Sequence, residues 1–95
     1  MDDPVPTYLV DCYLPRLDPT TAAGLDQRLR DAVAALRSGG TAVAWRGSLA
    51  IAGEETFSFF LACEDVQTIE TLVRRLSLGC DRIVPVQLMA PDSPR

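Results

Sequence analysis

Histidine, lysine and asparagine are absent from this chain, and all nine of its basic residues are Arg. Without His there is no imidazole base near neutral pH, no Ser-His or Cys-His dyad and no imidazole metal ligand. Without Lys there is no Schiff base to a carbonyl or to pyridoxal phosphate, and no P-loop. Any acid–base work falls to Asp, Glu, Cys or Tyr, although genomic base composition alone also produces an Arg-only habit. Positive charge is in deficit: 9 basic residues against 13 acidic ones leave a net charge of −4. No basic stripe can neutralise phosphates, so nucleic acid is not an expected partner. The apolar runs fall far short of a membrane span, so neither is a membrane.

Cysteine is scarce. Cys12, Cys63 and Cys80 form no CxxC or metal-like spacing. An odd, scattered count without a signal peptide suits a reducing cytoplasm, the expected location. All three read as small apolar fillers, with Cys12 and Cys80 at one end of the domain and Cys63 at the other. No cofactor and no metal are expected.

What the chain does contain is one pattern used twice: apolar strand, Asp, helix, glycine, strand. The first copy runs from Tyr8 through Asp18 and Gly39 to Ile51, the second from Phe57 through Asp65 and Gly79 to Met89. In the first, Asp18 is placed to cap a helix with Pro19 at its first position. Ala22, Leu25, Leu29, Val33 and Leu36 make its apolar stripe, and Asp26 and Arg30 stand four apart on the polar side. Gly39 suits a left-handed cap. Ala52 to Glu55 reads as a hairpin turn, whose paired Glu54 and Glu55 are a solvated turn or a weak site for a hard cation. In the second copy Asp65 caps a helix with Ile69, Leu72, Val73 and Leu76 buried, ended by Gly79.

The expected fold is therefore α+β: a ferredoxin-like β-α-β-β-α-β domain over residues 1–95, with an ordered core about 7–89 and loose tails. Right-handed crossovers give a four-stranded antiparallel sheet of order 4-1-3-2 with two helices on one face. Pro85 then lies on an edge strand, where a missing backbone donor is tolerated. Strands one and three become central. Both are apolar at nearly every position, whereas a sheet open to water on one side should alternate. Something apolar is expected to cover that open face.

Period-two reading sends Tyr8, Val10, Cys12 and Leu14 to the helix side and Leu9, Asp11 and Tyr13 to the open face. In strand three, Phe57, Phe59, Leu61 and Cys63 go in, while Ser58, Phe60 and Ala62 face out. In strand four, Val84, Val86 and Leu88 go in; Pro85, Gln87 and Met89 go out. Trp45, with Val43 and Gly47, fits either face. The candidate ligand-binding residues are Asp11, Tyr13, Trp45, Ser58, Phe60 and Gln87.

Asp11 is the one charge in the middle of a central strand. Closure of the open face would raise its pKa and prepare it as a base. The alternative is a structural role, accepting from Gln87 or Tyr13 or pairing with an Arg such as Arg46. Tyr13 is a donor to a ligand or a packed rim residue; Trp45 is a stacking platform or core.

Several short segments resemble one small bacterial family. Leu78-Gly79-Cys80-Asp81-Arg82-Ile83 matches its Leu-Pro-Ala-Asp-Arg-Val segment before the last strand. Tyr8-Leu9-Val10 matches its opening, Leu17-Asp18-Pro19 its Leu-Thr-Pro-like helix start, and Trp45-Arg46-Gly47-Ser48 its Trp-Leu-His-Ser. The family holds the nickel-responsive, nickel-binding proteins of actinomycetes and many domains of unknown function. The resemblance implies a ferredoxin-like domain dimerising through its sheets as a dimeric α/β barrel. The family's strand-two His falls on Gly47 and its Glu after strand three on Ala62, so nickel binding does not carry over. Only Asp11, Cys12 and Tyr13 occupy the strand-one region where the family places ligands.

The function expected is that of a homodimeric small-ligand-binding protein taking a hydrophobic small molecule. The alternatives are a cofactor-free enzyme of cyclase, isomerase or monooxygenase type, with Asp11 as base, Tyr13 as donor and Phe60 and Trp45 as walls, and a structural interaction module.

Overall fold

The computed structural model describes residues 5–89; the loose ends expected before and after them lie outside the described residues except for Val5 and Pro6. The elements run β1 (Thr7–Tyr13), α1 (Pro19–Ser38), β2 (Val43–Ile51), a 3₁₀ turn (Ala52–Glu54), β3 (Thr56–Cys63), α2 (Val66–Arg75) and β4 (Cys80–Val86). The four strands form one antiparallel sheet in the order β2-β3-β1-β4, which is 4-1-3-2 read from the other edge. Helix α1 packs over β2 and α2 against β3.

Local chemistry explains the helix starts. The Asp18 carboxylate accepts from the Thr21 backbone N–H at 2.8 Å, and the Thr21 hydroxyl closes a capping box by accepting from the Asp18 N–H at 3.1 Å. Asp65 caps α2 likewise, accepting from the Thr68 N–H at 3.0 Å. The helix ends differ from expectation. The left-handed residue after α1 is Gly40, with φ +97°, while Gly39 stays at φ −85°. Helix α2 stops at Arg75, well short of Gly79, and Ser77 takes the left-handed turn at φ 57°.

The core lies between helices and sheet. Val10, Cys12, Phe57, Phe59, Leu61 and Cys63 meet Leu25, Leu29 and Val33 of α1 and Ile69 and Leu72 of α2, all buried. Strands β1 and β3 thus send inward the residues that period-two alternation selects.

Strands β2 and β4 break the period. In β2 the register to β3 shifts between Trp45 and Gly47, leaving Arg46 as an extra residue. Val43 and Trp45 stay on the helix side; Gly47, at φ +146°, opens the other face opposite Phe60. In β4 the strand begins at Cys80, earlier than the expected Val84, and ends at Val86. Ile83 lies opposite Val10 and joins the core; Val84 lies opposite Leu9 and faces out. The inward assignment of Val84 and Val86 is therefore reversed, because the pairing to β1 sets the phase. Leu88, also expected inside, and the outward-read Gln87 and Met89 lie beyond the strand and are exposed. Pro85 does sit on an edge strand, since β4 pairs only with β1.

Candidate functional site

Antiparallel pairing brings three polar residues together in the middle of the open face. Asp11 of β1 lies directly between Ser58 of β3 and Arg82 of β4. The Ser58 hydroxyl donates to Asp11 Oδ1 at 2.6 Å. Arg82 donates through Nε to Oδ2 at 3.0 Å, and its Nη2 stands 2.8 Å from the same oxygen. Around this cluster are Leu9, Phe60, Leu49, Ile51, Val84 and Val86, of which Leu49 and Ile51 are exposed large apolar residues. Leu9, Leu49, Ile51 and Phe60, with the polar trio, border a shallow depression of about 550 Å³.

The electrostatics follow from these partners. The Ser58 hydrogen bond does most to hold the Asp11 carboxyl below its ordinary value; burial opposes it, and the Arg82 guanidinium adds to the lowering. Asp11 in the single protomer is thus a stabilised carboxylate, a poor proton acceptor; the rise expected on closure of the face concerns the closed form. Its partners are Ser58 and Arg82, not Gln87, Tyr13 or Arg46. The sign of the pH dependence is fixed by the lowering. The pair contributes its full stability above the ordinary aspartate value of 3.8 and loses it as pH falls through the lower folded value. Ser58→Ala is expected to cost about 1 kcal/mol near neutral pH and to move the Asp11 titration upward. Carboxyl carbon shifts followed against pH check this, and an unmoved titration would contradict it.

The other candidates lie elsewhere. The Tyr13 hydroxyl donates to Glu55 Oε1 at 2.9 Å, and the Arg16 backbone N–H donates to Glu55 Oε2. The hydrogen bond to the Glu55 carboxylate raises the Tyr13 pKa, while the Arg16 N–H, with help from Tyr13, lowers that of Glu55. Tyr13 is a rim residue tied to the turn before β3. Trp45 is on the helix side, where its Nε1 donates to Ser48 Oγ at 2.9 Å and the Arg30 guanidinium lies 4.7 Å from its ring centre. It forms no wall with Phe60. Gln87 lies beyond β4.

Two interactions escaped the sequence reading. Arg82 was available as the charge complementary to Asp11, but recognising it requires β4 to start at Cys80. Cys12 and Cys80, read as separate fillers, face each other across β1 and β4 and are bonded as a disulfide. Cys63 remains a buried free thiol whose pKa burial pushes up.

A second depression, about 650 Å³, opens on the helix side between the start of α1 and the turn after α2, with Leu17, Leu25 and Leu76 among its apolar lining. No carboxylate among the described residues lines it. Among the described residues, no three His, Cys, Asp or Glu side chains converge as metal ligands, and no helix is long and apolar enough to cross a membrane. Compared with models of known families, with curated proteins and with solved structures, the chain finds no match. The open face therefore has to be interpreted from its own chemistry.

Proposed function

We propose that this protein is a homodimeric, ferredoxin-like small-ligand-binding protein that closes its open sheet face against a second copy, as a dimeric α/β barrel. The observation that carries this is an apolar sheet face whose only central charge, Asp11, is already partnered by Ser58 and Arg82. A water-exposed face does not need Leu9, Phe60, Leu49, Ile51, Val84 and Val86 together; a self-complementary interface does. A stable pairing would bury roughly 1,200–2,000 Å² in total. The concavity around Asp11, which Glu54 and Asp81 also line, would then become a partly enclosed cavity whose apolar walls come from Leu9, Leu49, Ile51 and Phe60.

The ligand class is a hydrophobic small molecule oriented by the Asp11–Arg82 pair. An acid held by two donors suits orientation better than proton abstraction, so the binding reading is preferred to the enzyme reading. Anilinonaphthalene sulfonate serves as a probe, with an apolar body for the cavity and an anionic group for Arg82. Saturable binding in simple proportion to the dimer, weakened by Arg82→Gln, is expected. Unsaturable binding indifferent to Arg82 would contradict the proposal.

Kinship with the nickel-binding family, and a cytoplasmic setting, belong to the same proposal without the family's metal. Gly47 and Ala62 offer no donor side chain, and Asp11 supplies one carboxylate already engaged. Nickel(II) favours imidazole and other nitrogen ligands over an isolated carboxylate. Isothermal titration of nickel into reduced, untagged protein is expected to show no one-per-chain site of micromolar affinity; finding one would overturn the prediction.

A further inference from the structure

The bond between Cys12 and Cys80 joins the first strand to the last across 68 residues of chain. Its two sulfurs are unequal. Cys12 is wholly buried in the core, on central strand β1. Cys80 is half-buried at the first position of β4, an edge strand. Both belong to the helix side, so a partner on the open face would leave Cys80 within reach of solvent. The bond also sits at a particular place in the ladder. The β1–β4 register shifts between Asp11 and Cys12, with Asp81 as the extra residue, and Arg82 follows immediately, opposite Asp11.

We propose that Cys12 and Cys80 are a thiol–disulfide exchange site for low-molecular-weight thiols, entered through Cys80, and that its state sets how firmly β4 holds Arg82 beside Asp11. The thiolate of a small thiol attacks the Cys80 sulfur, and the Cys12–Cys80 bond breaks. Cys12 leaves with the electron pair and takes up a proton, while Cys80 is held as a mixed disulfide. A second small thiolate attacks the outer sulfur of that mixed disulfide, releasing Cys80 as a thiol and the small molecule as its own disulfide. Two protein thiols are gained, and two small thiols are oxidised to one disulfide. Oxidised small disulfide drives the reverse. In a reducing compartment a protein disulfide is ordinarily transient and redox-sensing rather than structural, and a partly accessible residue such as Cys80 gives such a site its point of entry. The site holds whether or not the open face is closed by a second copy.

Equilibration of the full chain with glutathione at graded ratios of thiol to disulfide tests this. Samples are acid-quenched, denatured, alkylated and read by mass spectrometry, with circular dichroism recorded before the quench. Cys12 and Cys80 are expected to pass together between bonded and free while Cys63 stays free and the fold is retained. In the reduced form the amides of β4 should exchange faster by about tenfold or more. Cys12→Ser is expected to hold one glutathione on Cys80 in the folded protein. A bond that opens only in denaturant, three thiols that stay free under oxidised glutathione, reduction that unfolds the chain, or a folded Cys12→Ser protein that takes no adduct would each overturn the site. Unchanged β4 exchange on reduction would overturn the coupling to Arg82.

Discussion

In the homodimer proposed above, replacing Phe60 by Glu is expected to favour the monomer, raising the dissociation constant by about 100-fold or more. Phe60 is half-buried on the open face of central strand β3, paired with Leu9 on one side and Gly47 on the other. Central aromatic residues carry much of an interface's affinity, commonly about 2 kcal/mol or more each. In a two-fold interface every substitution is made twice. Each copy loses an aromatic anchor and gains a carboxylate that must be desolvated on pairing, close to the carboxylate of Asp11. The folded protomer should tolerate the change, because Phe60 contributes nothing to the buried core cluster. Light scattering across a concentration series, with thermal unfolding beside it, separates loss of association from loss of fold. A Phe60→Glu protein that associates like the original would contradict the interface.

Its neighbour should behave in the opposite way. Phe59 is 0% exposed and points into the helix-covered core, where it packs near Phe57 with ring centres 6.1 Å apart. Phe59→Ala is expected to cost about 3–5 kcal/mol, combining lost apolar transfer with the cavity left behind. Small domains have only about 5–15 kcal/mol in hand, so the urea midpoint should fall by a large fraction or the chain should fail to fold. A cost under about 1 kcal/mol would mean that the site collapses around the deletion and that the core is not as assigned. Strand alternation sends these two adjacent aromatics to opposite faces, Phe59 to the core and Phe60 to the open side of the sheet.

That alternation also marks what the sequence could reveal. Strands β1 and β3 are regular along their mutual pairing, so Asp11, Ser58 and Phe60 were placed on the open face from period two alone. The helix starts were legible because Asp18 and Asp65 act locally, within three residues of the groups they cap. The errors cluster at the two register shifts. An extra residue at Arg46 sends Trp45 and Gly47 to opposite faces, and another at Asp81 sets Cys80 opposite Cys12 and Arg82 opposite Asp11. A bulge is specified by pairing between distant strands, and no local propensity announces it. The open-face site was thus half legible. Its carboxylate and serine were visible, while its guanidinium and the disulfide beside it depended on a register only the folded sheet defines.

Sedimentation equilibrium of the untagged protein at micromolar concentration decides whether the open face pairs with a second copy. A species of twice the 10.3 kDa chain mass is expected, shifting to the single-chain mass on Phe60→Glu. A single-chain mass for the unaltered protein throughout that range would contradict it.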